Sequence, residues 1–275
     1  MIHLMLDCYG GSENRLDDLR TVNSALEEIV SQLRLETVMP PFLLPYYYAK
    51  DSDDDGISAF VILRGGHITL HTFPRRGCVF ADLLYDGYAS EDKFVELLRT
   101  YFKFTDEKSL CTERRFYDES LICEDRIWNG TGSGDFGPHI IAKVEDVDIT
   151  MEEIYDMLDE MPKKINMIPI SRPYVIKSKC GSPDYVSGVV LIAQSHIAFH
   201  YCVAEKTLFC DAFSCSFYKS EQFVQYLLKR FDDVEHLTLI RGSKHERKIS
   251  NRQAKIRNQS RWIANSSSGE GTDEL

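Results

Sequence analysis

The sequence has no long apolar run, no paired-cysteine motif and no excess of positive charge. No stretch approaches the ~20 consecutive apolar residues of a membrane helix, so no membrane span is expected. Eight cysteines occur, at positions 8, 78, 111, 123, 180, 202, 210 and 215, and none forms a CxxC pair. A zinc ribbon or dithiol redox motif is therefore not indicated, and no metal is expected. The first residues lack the basic segment and apolar run of a secretory leader; a reducing, cytoplasmic setting with free thiols is the expectation. Acidic residues outnumber basic ones by 43 to 32, a formal net charge of -11. Such a field repels nucleic acid and anionic membrane, so neither is expected as a partner. What is present suffices for a folded core: 275 residues, 43% of them hydrophobic, make one large domain or two ordinary ones.

The chain contains an internal repeat. Ile57-Ser58-Ala59-Phe60-Val61-Ile62-Leu63 matches Val186-Ser187-Gly188-Val189-Val190-Leu191-Ile192. Gly66-His67-Ile68-Thr69-Leu70-His71 matches Ser195-His196-Ile197-Ala198-Phe199-His200. Asp82 pairs with Asp211, Phe94 with Phe223 and Phe102 with Phe231, every pair 129 positions apart. Such a fixed offset marks a duplication. Upstream, His3-Leu4-Met5 resembles His139-Ile140-Ile141 at a different offset. Short β-branched runs read as buried strands. The spacing of Leu16, Leu19, Val22, Leu26, Ile29 and Leu33, and of Met151, Ile154, Met157 and Leu158, reads as helix. Each half thus reads β-α-β-β-β-α. The predicted fold is α+β: two such halves in tandem, forming a two-sheet sandwich with helices on the outer faces. The predicted boundaries are residues 1–106 for the first repeat, 107–136 for a linker, 137–242 for the second repeat and 243–275 for a polar, disordered tail.

The run Val186-Ser187-Gly188-Val189-Val190-Leu191-Ile192-Ala193-Gln194-Ser195-His196-Ile197-Ala198-Phe199-His200, followed by Asp211 and Cys215, resembles the signature of bacterial and archaeal S-adenosylmethionine decarboxylases. The resemblance covers most of both halves. It implies a proenzyme in which the serine attacks the peptide bond before it, giving an ester whose elimination breaks the chain. The break falls between Gln194 and Ser195 and leaves a covalent pyruvoyl group formed from Ser195. The family's processing residues fall on Ser187 and His200, and its proton-donating thiol on Cys215. A pyruvoyl carbonyl forms a Schiff base with the substrate amine and accepts the electrons released as CO2 leaves. The product, decarboxylated S-adenosylmethionine, is the aminopropyl donor for spermidine.

Several positions depart from the pattern. Gln194 replaces the usual glutamate. The first half carries Gly66 at the serine position and Asp86 at the cysteine position, so it cannot make a pyruvoyl group and is expected to act as a fused, inactive partner. The family's Trp-Pro-Glu becomes Phe73-Pro74-Arg75 and Cys202-Val203-Ala204. The substrate is therefore S-adenosylmethionine or, on the alternative reading, a basic amino acid such as ornithine or arginine. A third reading is a silent regulatory partner of an active decarboxylase. Self-association is compatible with all three. Substrate-binding residues are not assigned.

Strand geometry raises one conflict. His196 and His200 lie an even number of residues apart and share a face, and Ser195 points to the other. A bulge near Ser195 would be needed to bring Ser195 and His200 into one site. The histidine pairs also suit a metal. Their recurrence as His67 and His71, in the half without the serine, suits packing.

Overall fold

The computed structural model describes residues 1–49, 51–114, 137–178, 183–193, 195–215 and 220–241. Gln194, most of the expected linker and the tail lie outside the described residues.

The first half runs β1 (Ile2–Tyr9), α1 (Glu13–Leu16), α2 (Leu19–Gln32), β2 (Phe42–Tyr46), β3 (Gly56–Leu63), β4 (Gly66–Phe73), β5 (Cys78–Tyr85), α3 (Glu91–Phe102) and β6 (Asp106–Glu113). The second runs β7 (Gly137–Val144), α4 (Met151–Lys164), β8 (Tyr174–Ser178), β9 (Tyr185–Ile192), β10 (Ser195–Cys202), β11 (Thr207–Phe213), α5 (Ser220–Leu228) and β12 (Glu235–Arg241). Each half forms one six-stranded sheet, ordered β2-β3-β4-β5-β1-β6 and β8-β9-β10-β11-β7-β12. All pairings are antiparallel. The two orders are the same, which is the duplication in three dimensions. The sheets face each other and the helices cover the outside, as the αββα reading expected.

Each half has two strands more than that reading gave it. β2 contains Pro45, which the pattern of a strand does not favour, and sits at a sheet edge where a missing N–H is tolerated. β6 is a polar run, Asp-Glu-Lys-Ser-Leu-Cys-Thr-Glu, yet it pairs with β1 over eight positions. Residues 107–113 therefore belong to the first sheet, and the connection read at 107–136 begins after Arg114.

Alternation divides the side chains between two layers. Val79, Ala81 and Leu83 of β5, and Ile68 and Leu70 of β4, face the helices together with Val22, Leu26, Ile29, Phe94 and Leu98. Ile197, Phe199 and Tyr201 of β10 face Ile154, Met157, Leu158 and Phe223 in the same way. The opposite faces, turned toward the other sheet, are polar at their centre. His3, His67, His71, Asp82, Arg114, His139, His196, His200 and Asp211 are all at 0% exposure. Since buried polar groups are stable only when hydrogen-bonded or charge-paired, this inner layer fixes one arrangement of the sheets.

Helix α4 begins in a capping box: the Thr150 hydroxyl accepts from the Glu153 N–H and the Glu153 carboxylate accepts from the Thr150 N–H. Thr150→Ala removes one of these bonds and is expected to lower stability by about 1 kcal/mol in urea unfolding. An unchanged midpoint would show that α4 is held by packing alone.

Candidate active site

Strands β4 and β10 face each other in opposite directions. His71 stacks on His196 with ring centroids 5.1 Å apart, and His67 stacks on His200 at 5.0 Å. The Ser195 end of β10 therefore meets the His71 end of β4, and the His200 end of β10 meets the Gly66 end.

At the first end, the Ser195 hydroxyl accepts a 2.7 Å hydrogen bond from the Cys215 N–H. The Cys215 thiol donates to the Ala193 carbonyl at 3.4 Å. Serine, thiol and the chain just before the serine are thus one local unit, built where β10 starts and β11 has ended. Tyr9, Phe73, Cys78, Phe80 and Phe213 pack with Cys215 as a buried apolar wall. Burial pushes the Tyr46 phenol well up, with Asp55 and Cys215 adding to the shift, so this end also carries a neutral tyrosine.

Ser187 and His200 are a pair, with Ser187 Oγ 2.9 Å from His200 Nδ1. They are not at the Ser195 end. Register along β9 and β10 is regular through Ser195–Cys202. Five residues of strand put His200 about 17 Å along β10 from Ser195. No bulge reconciles them. The sequence expectation that Ser187 and His200 share a site with Ser195 is corrected accordingly. In their place stands the equivalent pair from the first half: Ser58 Oγ is 2.9 Å from His71 Nδ1, and His71 Nε2 is 2.9 Å from His196 Nδ1. The end of β10 that carries Ser195 thus adjoins a Ser–His pair of the first sheet, through the His71–His196 contact. Ser58 was not singled out in the sequence, because it lies in the half that lacks the serine and is the counterpart of Ser187. Recurrence is what a pair of sheets facing each other head to tail requires, since each end borrows the other half's pair.

The second end is closed. Tyr185 donates from its hydroxyl to Asp86 Oδ2 at 2.5 Å, where the first end has Cys215. A Cβ added at Gly65 would lie 2.7 Å from the Tyr185 ring, and one at Gly66 would lie 1.9 Å from the Leu84 carbonyl oxygen. Position 66 thus lacks a serine and has no room for one on this backbone.

Between the ends, two buried arginines cross from sheet to sheet. Arg114, after β6, donates to the Ala142 and Cys210 carbonyls at 2.9 and 2.7 Å. Arg241, closing β12, donates to the Leu6 and Ala81 carbonyls at 3.0 and 3.2 Å. Arg241 also binds Asp7 and Asp82, each at 2.6 Å. Burial raises the Asp82 carboxyl, but Arg241 and then His139 outweigh it and hold it below the usual range. Asp211, bonded to His139 Nε2, is likewise held well below it, chiefly by His139 and His3 against burial. Burial lowers His3, His71, His196 and His200 and so favours their neutral forms. Neither arginine stood out in the sequence, because each lies at the margin of its repeat.

Among the described residues no helix is long and apolar enough to cross a membrane. Cys8, Cys78, Cys202 and Cys210 are buried free thiols.

The profile of the family described as S-adenosylmethionine decarboxylase matches residues 2–115 and 139–242. The S-adenosylmethionine decarboxylase proenzyme of Archaeoglobus fulgidus is 26% identical over 102 residues, 37% of this chain and 85% of that protein. The crystal structure of the adenosylmethionine decarboxylase of Aquifex aeolicus superposes with a TM-score of 0.36 at 19% identity, covering 43% of this chain and 92% of that one. An unknown protein from Galdieria sulphuraria gives a TM-score of 0.21 at 7% identity, over 87% and 97% of the two chains. The family match spans most of both sheets, one stretch for each, and the chain therefore belongs to the S-adenosylmethionine decarboxylase family of carboxy-lyases.

Proposed function

We propose that this chain matures by self-cleavage between Gln194 and Ser195 and then decarboxylates S-adenosylmethionine, supplying an aminopropyl donor for spermidine synthesis in the cytoplasm. The observation that carries the reading is the unit of Ser195, Cys215 and the Ala193 carbonyl, joined at 2.7 and 3.4 Å. A hydroxyl and a thiol side by side next to residue 194 support a cut at that peptide.

The residues present fit a pyruvoyl group at position 195. Ser195 is fully buried, so a carbonyl there is shielded from water, and Cys215 is 3% exposed beside it. When formed, that group supplies a conjugated carbonyl that accepts the electron pair freed by loss of CO2. The chain's own residues do the rest. The Cys215 thiol delivers the proton that the substrate carbon takes up. The Cys215 N–H holds the Ser195 oxygen in place before cleavage. Ser58 orients His71, and that imidazole is the base we assign to maturation in place of His200. Phe73, Phe80 and Phe213 exclude water from this end.

Release of labelled CO2 from carboxyl-labelled S-adenosylmethionine tests the reading, with ornithine, arginine and lysine assayed alongside. Activity is expected on S-adenosylmethionine. Cleaved protein active only on a basic amino acid would replace the substrate, and an uncleaved chain that purifies with an active partner would make it a regulatory subunit. Cys215→Ala should still cleave, yet turn over about 10²- to 10⁴-fold more slowly in single-turnover assays. Unchanged turnover would remove the thiol from the reaction.

A further inference from the structure

Away from the Ser195 end, a set of buried polar atoms at the centre of the inner layer has no hydrogen-bond partner. His3 Nε2, His67 Nε2, His196 Nε2 and Asp211 Oδ2 are all in this state. The three nitrogens lie 3.5, 3.4 and 3.7 Å from Asp211 Oδ2. Buried polar atoms are normally paired, so four orphans converging on one point call for a missing occupant.

We propose that His67 Nε2, His196 Nε2 and Asp211 Oδ2 hold a divalent first-row transition ion, with zinc as the reference case. Two triads are close enough to share an ion: His3, His139 and Asp211, and His67, His196 and Asp211. Hydrogen bonding separates them. Arg114 Nη1 faces His3 Nδ1 at 3.0 Å, and Arg241 Nη1 faces His139 Nδ1 at 3.2 Å. A guanidinium only donates, so each of these Nδ1 atoms accepts and each Nε2 carries the proton. Neither Nε2 has a lone pair to give: His139 Nε2 donates to Asp211 Oδ1, and His3 Nε2 lies 3.5 Å from Asp211 Oδ2.

His67 and His196 have the opposite surroundings. His67 Nδ1 faces His200 Nε2 at 2.8 Å, and His196 Nδ1 faces His71 Nε2 at 2.9 Å. When His67 and His196 donate from Nδ1, His200 and His71 in turn donate from Nδ1 to Ser187 and Ser58. Both chains are then satisfied end to end, and both Nε2 lone pairs are free. Histidine ligands typically donate their other ring N–H in this way, which fixes the ring.

The spacing also fits. Ligands about 2.0–2.1 Å from one ion at tetrahedral angles lie about 3.4 Å apart. Two imidazoles with one carboxylate suit zinc, iron, cobalt or nickel better than magnesium or calcium. Asp7, Asp82 and Asp211 outnumber Arg114 and Arg241 in this layer, so the interior favours an added cation. His67 comes from the first sheet and the other two ligands from the second, so the ion would tie the halves together as they fold. In the sequence a metal was one reading of the histidine pairs; only the facing sheets bring His67, His196 and Asp211 together. His196 is hydrogen-bonded to His71, so the site adjoins the residue assigned to maturation, and its test reads bound metal rather than activity.

The test is metal analysis of the untagged full chain, purified without chelator from zinc-supplemented cells. The expected result is about one ion per chain retained through dialysis, with a nitrogen/oxygen shell at about 2.0–2.1 Å and no sulfur at about 2.3 Å in X-ray absorption. His67→Gln should lower bound metal by roughly 10-fold or more. A metal-free wild-type chain, a sulfur shell, or full metal in a folded His67→Gln variant would each overturn the site. Should that variant fail to fold, the wild-type metal content and absorption spectrum still decide.

Discussion

Denaturing mass spectrometry of the wild-type chain should show two species of 194 and 81 residues, the smaller one blocked at its N-terminus, and Ser195→Ala should show a single chain of 275. The effect is all or none, because no other hydroxyl replaces the Ser195 oxygen that lies 2.7 Å from the Cys215 N–H. The histidines give a sharper contrast. His71→Ala should slow cleavage by about 10²- to 10⁴-fold, the usual worth of a positioned general base. His200→Ala should slow it much less, because strand rise puts His200 about 17 Å along β10 from the serine. The reverse order would restore the assignment made from sequence and reject the assignment to His71. A wild-type chain that stays whole would remove the self-cleavage reading altogether.

The largest stability effect is expected at Arg241. Its guanidinium is 5% exposed and joins Asp7, Asp82, His139 and two carbonyls of the first sheet. Arg241→Met keeps much of the stem and leaves two buried carboxylates without their cation. Breaking a buried pair from one side costs about 3–5 kcal/mol, much of a typical domain's margin. A fall in the urea midpoint of that size is the expected result. The pH dependence carries the sign. Asp82 has a folded pKa below its unfolded value of about 3.9, so its contribution is complete above that value and is lost as pH falls through the folded pKa. In Arg241→Met the depression should vanish, and the stability gained between acid and neutral pH should shrink. A variant within about 0.5 kcal/mol of wild type would show that water reaches the two carboxylates.

The sequence by itself determined the duplication, the fold class and the family. The offset between His67 and His196 carries over into two sheets of one topology, and alternation along β4 and β10 correctly put His196 and His200 on one face. Local pattern fails where an element is polar or broken by proline, which is why β2 and β6 escaped notice and Arg114 with them. Tertiary structure alone decided which half's residues meet. Strands β4 and β10 face each other in opposite directions, so the Ser195 end of β10 meets the His71 end of β4, while at the other end Gly65 lies against the Tyr185 ring and Gly66 against the Leu84 carbonyl. Sequence spacing measures distance along one strand. It carries no information about the residue opposite on another sheet, and the site and the central histidine–aspartate cluster are both built across that gap.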